Sequence, residues 1–245
     1  MAKISRIDGQ IIGQDRKAYL GICQMLFNNE LYPGQKIANK DLAQRLGVST
    51  TPVIHALKLL ELKGITRREA NRGYFINSIT IQEVEEIFDA RIALEVSLLD
   101  KTLKWLDQAA LKRLEDALKL HDEAVAQNDP SRRVMTDLRF HMTLASLSRT
   151  EIQVTLLEDL FDRLLLKYSK DIFRVSIIET SQKEHYAILD AIKKKDLGLM
   201  TEALTCHLKQ TKTRIMQGLS ESLDENGSRL SKYHSFEDIK DKTNF

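Results

Sequence analysis

The 245-residue chain, 42% hydrophobic and 29% charged, has the composition of one or two ordinary folded domains. No apolar run approaches the ~20 residues of a membrane span, and the first residues hold no apolar signal core. Two cysteines, Cys23 and Cys206, cannot frame a disulfide scaffold or a CxxC site, so a cytoplasmic protein with two buried thiols is expected.

The net charge of +2 is unevenly spread. Residues 1–80 carry 12 Lys+Arg against 6 Asp+Glu, residues 81–220 carry 21 against 23, and residues 221–245 carry 4 against 6. A basic small unit joined to a slightly acidic one suggests a polyanion-binding module attached to something else. Glycine is uneven too. Seven of ten lie in the first 73 residues, and positions 74–197 hold none, with Pro130 as their one proline. Turns with positive φ usually need glycine, so that run excludes a sandwich, barrel or Rossmann sheet there, and with it a Gly-rich phosphate loop.

In chain order, residues 15–28 show a helical period through Tyr19, Ile22, Cys23 and Leu26, ended by Pro33-Gly34. Asn39 is expected to cap a short helix over 40–46, with Gly47 at its C′ position. Ser49 is expected to cap a second helix reaching about Lys63, with Pro52 tolerated in its first turn. Ala43 leaves room where the two cross. Residues 65–68 and 74–76 read as short strands around a turn ending at Gly73. The whole predicts a winged helix-turn-helix over 1–78.

These residues resemble the GntR family. Leu31-Tyr32-Pro33-Gly34-Gln35, Asp41-Leu42-Ala43, Leu46-Gly47-Val48-Ser49, Thr51-Pro52-Val53 and Arg72-Gly73-Tyr74-Phe75-Ile76 carry the likeness, in order, over roughly residues 10–77. The resemblance implies that the second helix enters the major groove of a double-stranded DNA operator and that Arg72-Gly73 reaches the minor groove. The DNA-contacting set it implies is Lys40, Arg45, Ser49, Thr50, Thr51, Pro52, Ile54, His55, Lys58, Arg72 and Gly73. The family usually places arginines where this chain has Thr50 and Ile54, and an acidic residue at His55. Arginine bidentate to guanine gives about 1–3 kcal/mol of discrimination, so a different operator or weaker binding is expected.

From residue 79 to 220, five or six helices with apolar stripes predict an antiparallel all-helical bundle, making the chain mostly α. Residues 221–245 lack periodicity and are expected to be disordered. Several polar residues fall on the inward stripes. Asp137 and His141 stand i,i+4, on one helix face. His185 and His207 lie equally far on either side of a turn near Asp196, the expected N-cap of the last helix, so in a hairpin they reach the same height. Three imidazoles and a carboxylate in a bundle core suit a divalent transition-metal ion. His121 also sits on an apolar stripe but has no spaced partner, and reads as structural.

Asp137-Leu138-Arg139-Phe140-His141, Glu184-His185-Tyr186-Ala187-Ile188-Leu189, Asp196 and His207 resemble the FCD effector domain of the FadR subfamily of GntR regulators. That resemblance implies that Asp137, His141, His185 and His207 bind a divalent ion (Zn, Ni or Mn). It implies that Arg91 and Glu95 belong to the effector site, with Arg91 facing the carboxylate of a small organic acid. The bland alternative is an Arg91–Glu95 i,i+4 ion pair. A homodimer with no membrane association is expected. The expected function is a DNA-binding transcriptional regulator controlled by a carboxylate at a metal site, and not an enzyme. A metal-dependent enzyme on a small organic acid, or a sensor of the ion itself, stands as the alternative.

Overall fold

The computed structural model describes residues 13–167 and 178–237, with side chains described for 13–167 and 181–221. Its first unit comprises α1 (Gln14–Phe27), β1 (Lys36–Ile37), α2 (Asn39–Leu46), α3 (Thr50–Leu62), β2 (Thr66–Glu69) and β3 (Gly73–Ile76). The three strands form one antiparallel sheet in the order β1-β3-β2, pairing Lys36 with Phe75 and Arg67 with Phe75 from opposite sides. The two-residue β1 is too short to leave an alternating pattern in the sequence, and it adds a third strand to the expected pair.

Gly47 ends α2 in the left-handed conformation, at φ 60°, as its place between two helices requires. Ala38, not Asn39, is the cap residue of α2, while Ser49 holds the cap position of α3 without a side-chain bond. Tyr19, Ile22, Leu42, Val53, Leu57 and Leu60 are buried where α1, α2 and α3 meet. The helices approach so closely that a Cβ on Gly21 would lie 2.4 Å from Leu46 Cδ2.

The second unit holds α4 (Ile81–Lys104), α5 (Gln108–Ala126), α6 (Pro130–Ser146), α7 (Glu151–Lys167), α8 (Ile178–Lys194) and α9 (Leu197–Glu237). Side chains of Thr80, Asp107, Asp129 and Asp196 accept hydrogen bonds from backbone N–H groups in the first turns of α4, α5, α6 and α9. Each such cap is worth about 0.5–2 kcal/mol. Where glycine is missing, Asn128, Arg149 and Lys195 take positive φ (50°, 57° and 55°) and turn the chain between helices. Val84, Phe88, Leu114, Phe140, Ile188 and Leu204 mark the shared core.

Two expectations are corrected. Helix α9 continues to Glu237, so most of the segment expected to be disordered is helical. Residues 221–237 contain no proline, and their one glycine, Gly227, is a cost of only about 1 kcal/mol to a helix already begun. Residues 238–245 lie outside the described residues. Cys206 is exposed, because it directly precedes His207 and points about 100° away from it around the helix, while Cys23 is buried. No helix among the described residues is long and apolar enough to cross a membrane.

The two units meet along α7. Lys63, at the C-terminal end of α3, is buried and reaches Asp159 Oδ1 at 2.7 Å and Asp162 Oδ2 at 2.9 Å. Burial alone would lower the Lys63 pKa, but the two carboxylates outweigh it and raise it above 10.5. Leu166 of α7 is buried within the first unit's core.

Candidate functional site

Helices α6, α8 and α9 bring Asp137, His141, His185 and His207 together, with one ligating atom from each lying within 4.8 Å of the others. The i,i+4 step on α6 and the symmetric arms of the α8–α9 hairpin produce this convergence. All three imidazoles are buried, His141 and His185 completely.

The second atoms of the rings are held from outside. Glu95 Oε2 accepts from His141 Nδ1 at 2.6 Å, and Glu184 Oε2 accepts from His207 Nδ1 at 2.8 Å. Arg214 in turn clamps Glu184 with two bonds of 2.8 Å. Burial would raise Glu95, yet Arg91 and His141 bring it down to about 2; burial would likewise raise Glu184, yet Arg214 and His207 bring it down to about 2. Both are therefore carboxylates that accept, which puts the ring protons on Nδ1. Burial, reinforced by the neighbouring His185, pushes His207 down to about 3, so its ring is neutral.

His141 Nε2 and His207 Nε2 face each other 3.1 Å apart, within hydrogen-bonding distance. His185 Nε2 is 3.1 Å from Asp137 Oδ1, an ion-pair distance without hydrogen-bond geometry, and His185 Nδ1 has no hydrogen-bond partner. Burial would raise Asp137, but the surrounding imidazoles, His185 foremost, hold it well below the usual carboxylate range. Three imidazoles and an anionic carboxylate, with outer carboxylates at Nδ1 of two of the rings, fit a divalent ion.

Arg91 and Glu95 are joined, Nε to Oε1 at 2.8 Å, so the ion pair is formed. That bond leaves Arg91 Nη2 buried without a partner. The guanidinium carbon lies 4.4 Å from the Phe161 ring centroid and 4.8 Å from that of Phe88. A crevice bordered by Glu95, Leu98, Thr102, His141 and Leu144 runs beside the cluster and is too tight for a water molecule.

On the winged unit, Lys40, Ser49, Thr51, Lys58 and Arg72 are exposed, and Thr50 and Ile54 are half-buried. Pro52 is buried, so it shapes the first turn of α3 without presenting itself outward. Gly73 has φ 93°, which fits a tight wing tip. Arg45 is exposed and paired with Glu30 at 2.6 Å, while His55 Nδ1 lies 3.0 Å from Asp15 at the start of α1. The guanidinium carbons of Arg67 and Arg72 lie over the Phe75 ring, 5.1 and 5.2 Å from its centroid.

Glu184 and His121 are the site residues that sequence spacing passed over. His121 packs edge-on to His185, with ring centroids 4.9 Å apart. The hairpin rule that pairs His185 with His207 would have found it: His121 lies seven residues before Asn128, and Thr136 seven after Asp129.

A winged helix-turn-helix followed by a helical domain with a buried Asp/His cluster is the layout of a bacterial transcriptional regulator. Residues 14–76 match the gntR family of bacterial regulatory proteins and residues 86–210 match the FCD domain; the chain belongs to the GntR family and carries an FCD domain. It is thus a DNA-binding transcriptional regulator and not an enzyme. It is 28% identical over 194 residues to the HTH-type transcriptional regulator YdhC of Bacillus subtilis (strain 168), covering 77% of this chain and 85% of that one. It is 23% identical over 192 residues to the HTH-type transcriptional repressor RspR of Escherichia coli (strain K12), covering 78% and 84%. Among solved structures, E. coli McbR/YncC superposes with a TM-score of 0.73 at 20% identity, over 84% of this chain and 99% of that one, a likeness of fold.

Proposed function

We propose that this chain is a cytoplasmic, homodimeric regulator of the FadR subfamily whose operator affinity is set by a small organic acid bound beside a divalent ion. Asp137, His141, His185 and His207 would hold the ion, Zn, Ni or Mn. Such an ion would supply a Lewis-acidic anchor for an effector carboxylate. Arg91, with Glu95 fixing its orientation, would bind the carboxylate's other side.

The observation that carries this reading is Arg91 Nη2, a charged donor buried without an acceptor within reach of the cluster. Leaving such a group unpaired costs about 1–3 kcal/mol or more, which a bound carboxylate would recover. Because the crevice beside Glu95 and His141 is too tight for water, an acid can enter only if α4 and α6 shift. Phe161, packed on Arg91, would carry that shift into α7 and so to Lys63 at the end of α3. The spacing of paired α3 helices in a dimer would then change, and with it operator affinity.

The test is operator binding by fluorescence anisotropy on protein purified without chelator, titrated separately with chelator and with a panel of organic acids. Native mass spectrometry of the same protein reads the bound ion. A response to acids that needs the ion is expected. If chelator alone toggles binding and no acid does, the ion is the signal and the effector reading falls.

A further inference from the structure

Two of the three clustered histidines have an anionic partner on Nδ1, and His185 has none. An unsatisfied atom also lies on the ring packed against it, that of His121, a residue outside the ligand set. Its ring is buried, edge-on to His185 at 4.9 Å between centroids, and its Nε2 has no partner.

The proton positions follow from Thr136. Its Oγ1 lies 2.9 Å from the carbonyl oxygens of Arg132 and Arg133, so its single hydroxyl proton is spent on the backbone. Toward His121 Nδ1, 3.1 Å away, Thr136 can therefore only accept. His121 carries its proton on Nδ1 and presents a lone pair at Nε2. His185, facing Asp137 through Nε2, must keep that atom unprotonated to act as a ligand, which puts its proton on Nδ1. A buried donor without an acceptor thus stands beside a buried acceptor without a donor.

We infer that His121 is the positioning residue for His185: its Nε2 accepts from His185 Nδ1–H, directly after a small ring rotation or through one water, and Thr136 fixes the tautomer that makes this possible. The inference rests on the metal reading of the cluster. It gives each of the three histidines an outer partner: Glu95, Glu184 and His121.

Zinc affinity, measured by competition with a chromophoric chelator, tests it on the full chain. His121→Asn keeps an amide near Thr136 but cannot reach His185; a 10–100-fold loss of zinc affinity is expected, the usual cost of losing an outer partner. His121→Gln places an amide oxygen near the lost Nε2 and should recover most of that loss. A purely structural role for His121 would lower the melting temperature of both variants and leave the affinity of both unchanged. Long-range ¹⁵N–¹H spectra of zinc-loaded wild-type protein give a readout independent of any variant. They should show His121 protonated on Nδ1 alone and His185 on Nδ1. A His121 protonated on Nε2, or a folded His121→Asn binding zinc as tightly as wild type, overturns the inference and leaves the metal reading standing. A wild-type chain that takes up no zinc, nickel or manganese overturns both.

Discussion

Phe161 and Asp162 are neighbours on α7 that point about 100° apart around the helix: the Phe161 ring centroid lies 4.4 Å from the guanidinium carbon of Arg91, and Asp162 holds Lys63 of the DNA-binding unit at 2.9 Å. Two consecutive residues thus link the acid-binding candidate to the end of the recognition helix. Asp162→Asn should leave operator binding in place but weaken its response to an organic acid several-fold, a loss of about 1 kcal/mol of coupling. Anisotropy titrations with and without acid measure this, and an undiminished response would remove α7 from the route.

Lys63 also sets a pH dependence. Its folded pKa is raised above 10.5, so its stabilising contribution is complete below the unfolded value and is lost as pH rises through the folded one. Lys63→Met should cost about 1–3 kcal/mol at neutral pH, less than a fully buried pair because Asp159 is 44% exposed. Denaturant unfolding at pH 8 and near pH 11.5 should show the gap between variant and wild type closing at the higher pH.

Arg91 can be tested without stripping Glu95 of its counter-charge. Arg91→Lys keeps a cation but loses the second guanidinium nitrogen. Acid affinity should fall about ten-fold or more, the worth of one hydrogen bond to a charged group, with ion content unchanged by native mass spectrometry.

Binding of an ion to the folded state alone should stabilise it. At a free ion concentration of about 100 times Kd the gain is about 2.7 kcal/mol, visible as a rise in melting temperature that chelator reverses. His207→Ala should abolish the difference between the two melts. A variant that still responds to the ion would place the binding elsewhere.

On the DNA side, Lys58 is exposed on α3 and would neutralise phosphate. Lys58→Ala should weaken binding to operator and to unrelated duplex alike, and lower the salt slope by about 1. A change confined to one base pair of the operator would instead make it a base reader.

Much of the site was legible because it depends on helical arithmetic: one turn from Asp137 to His141, and equal arms about Asp196 for His185 and His207. Glu95 and Glu184 as partners of Nδ1 were not legible, since each bond crosses between helices whose rotation no spacing fixes. Cys206 was misread as buried for a related reason, as its neighbour His207 takes the inward position. The α9 extension escaped because its sequence carries no apolar period, and the two-residue β1 because it is shorter than any period. The departures at Thr50 and Ile54 were plain in the sequence; half-buried in α3, neither offers the reach of the arginine usual in the family.

Leu166 is 8% exposed and belongs to the core formed by α1, α2 and α3, although ninety residues separate it from the end of β3 at Ile76. The boundary near residue 78 is therefore a boundary along the chain only. A fragment ending there would lack one apolar wall and leave Lys63 without its carboxylates. The DNA-binding unit borrows part of its solidity from the FCD domain, so anything that moves α7 also alters how firmly the recognition helix is seated.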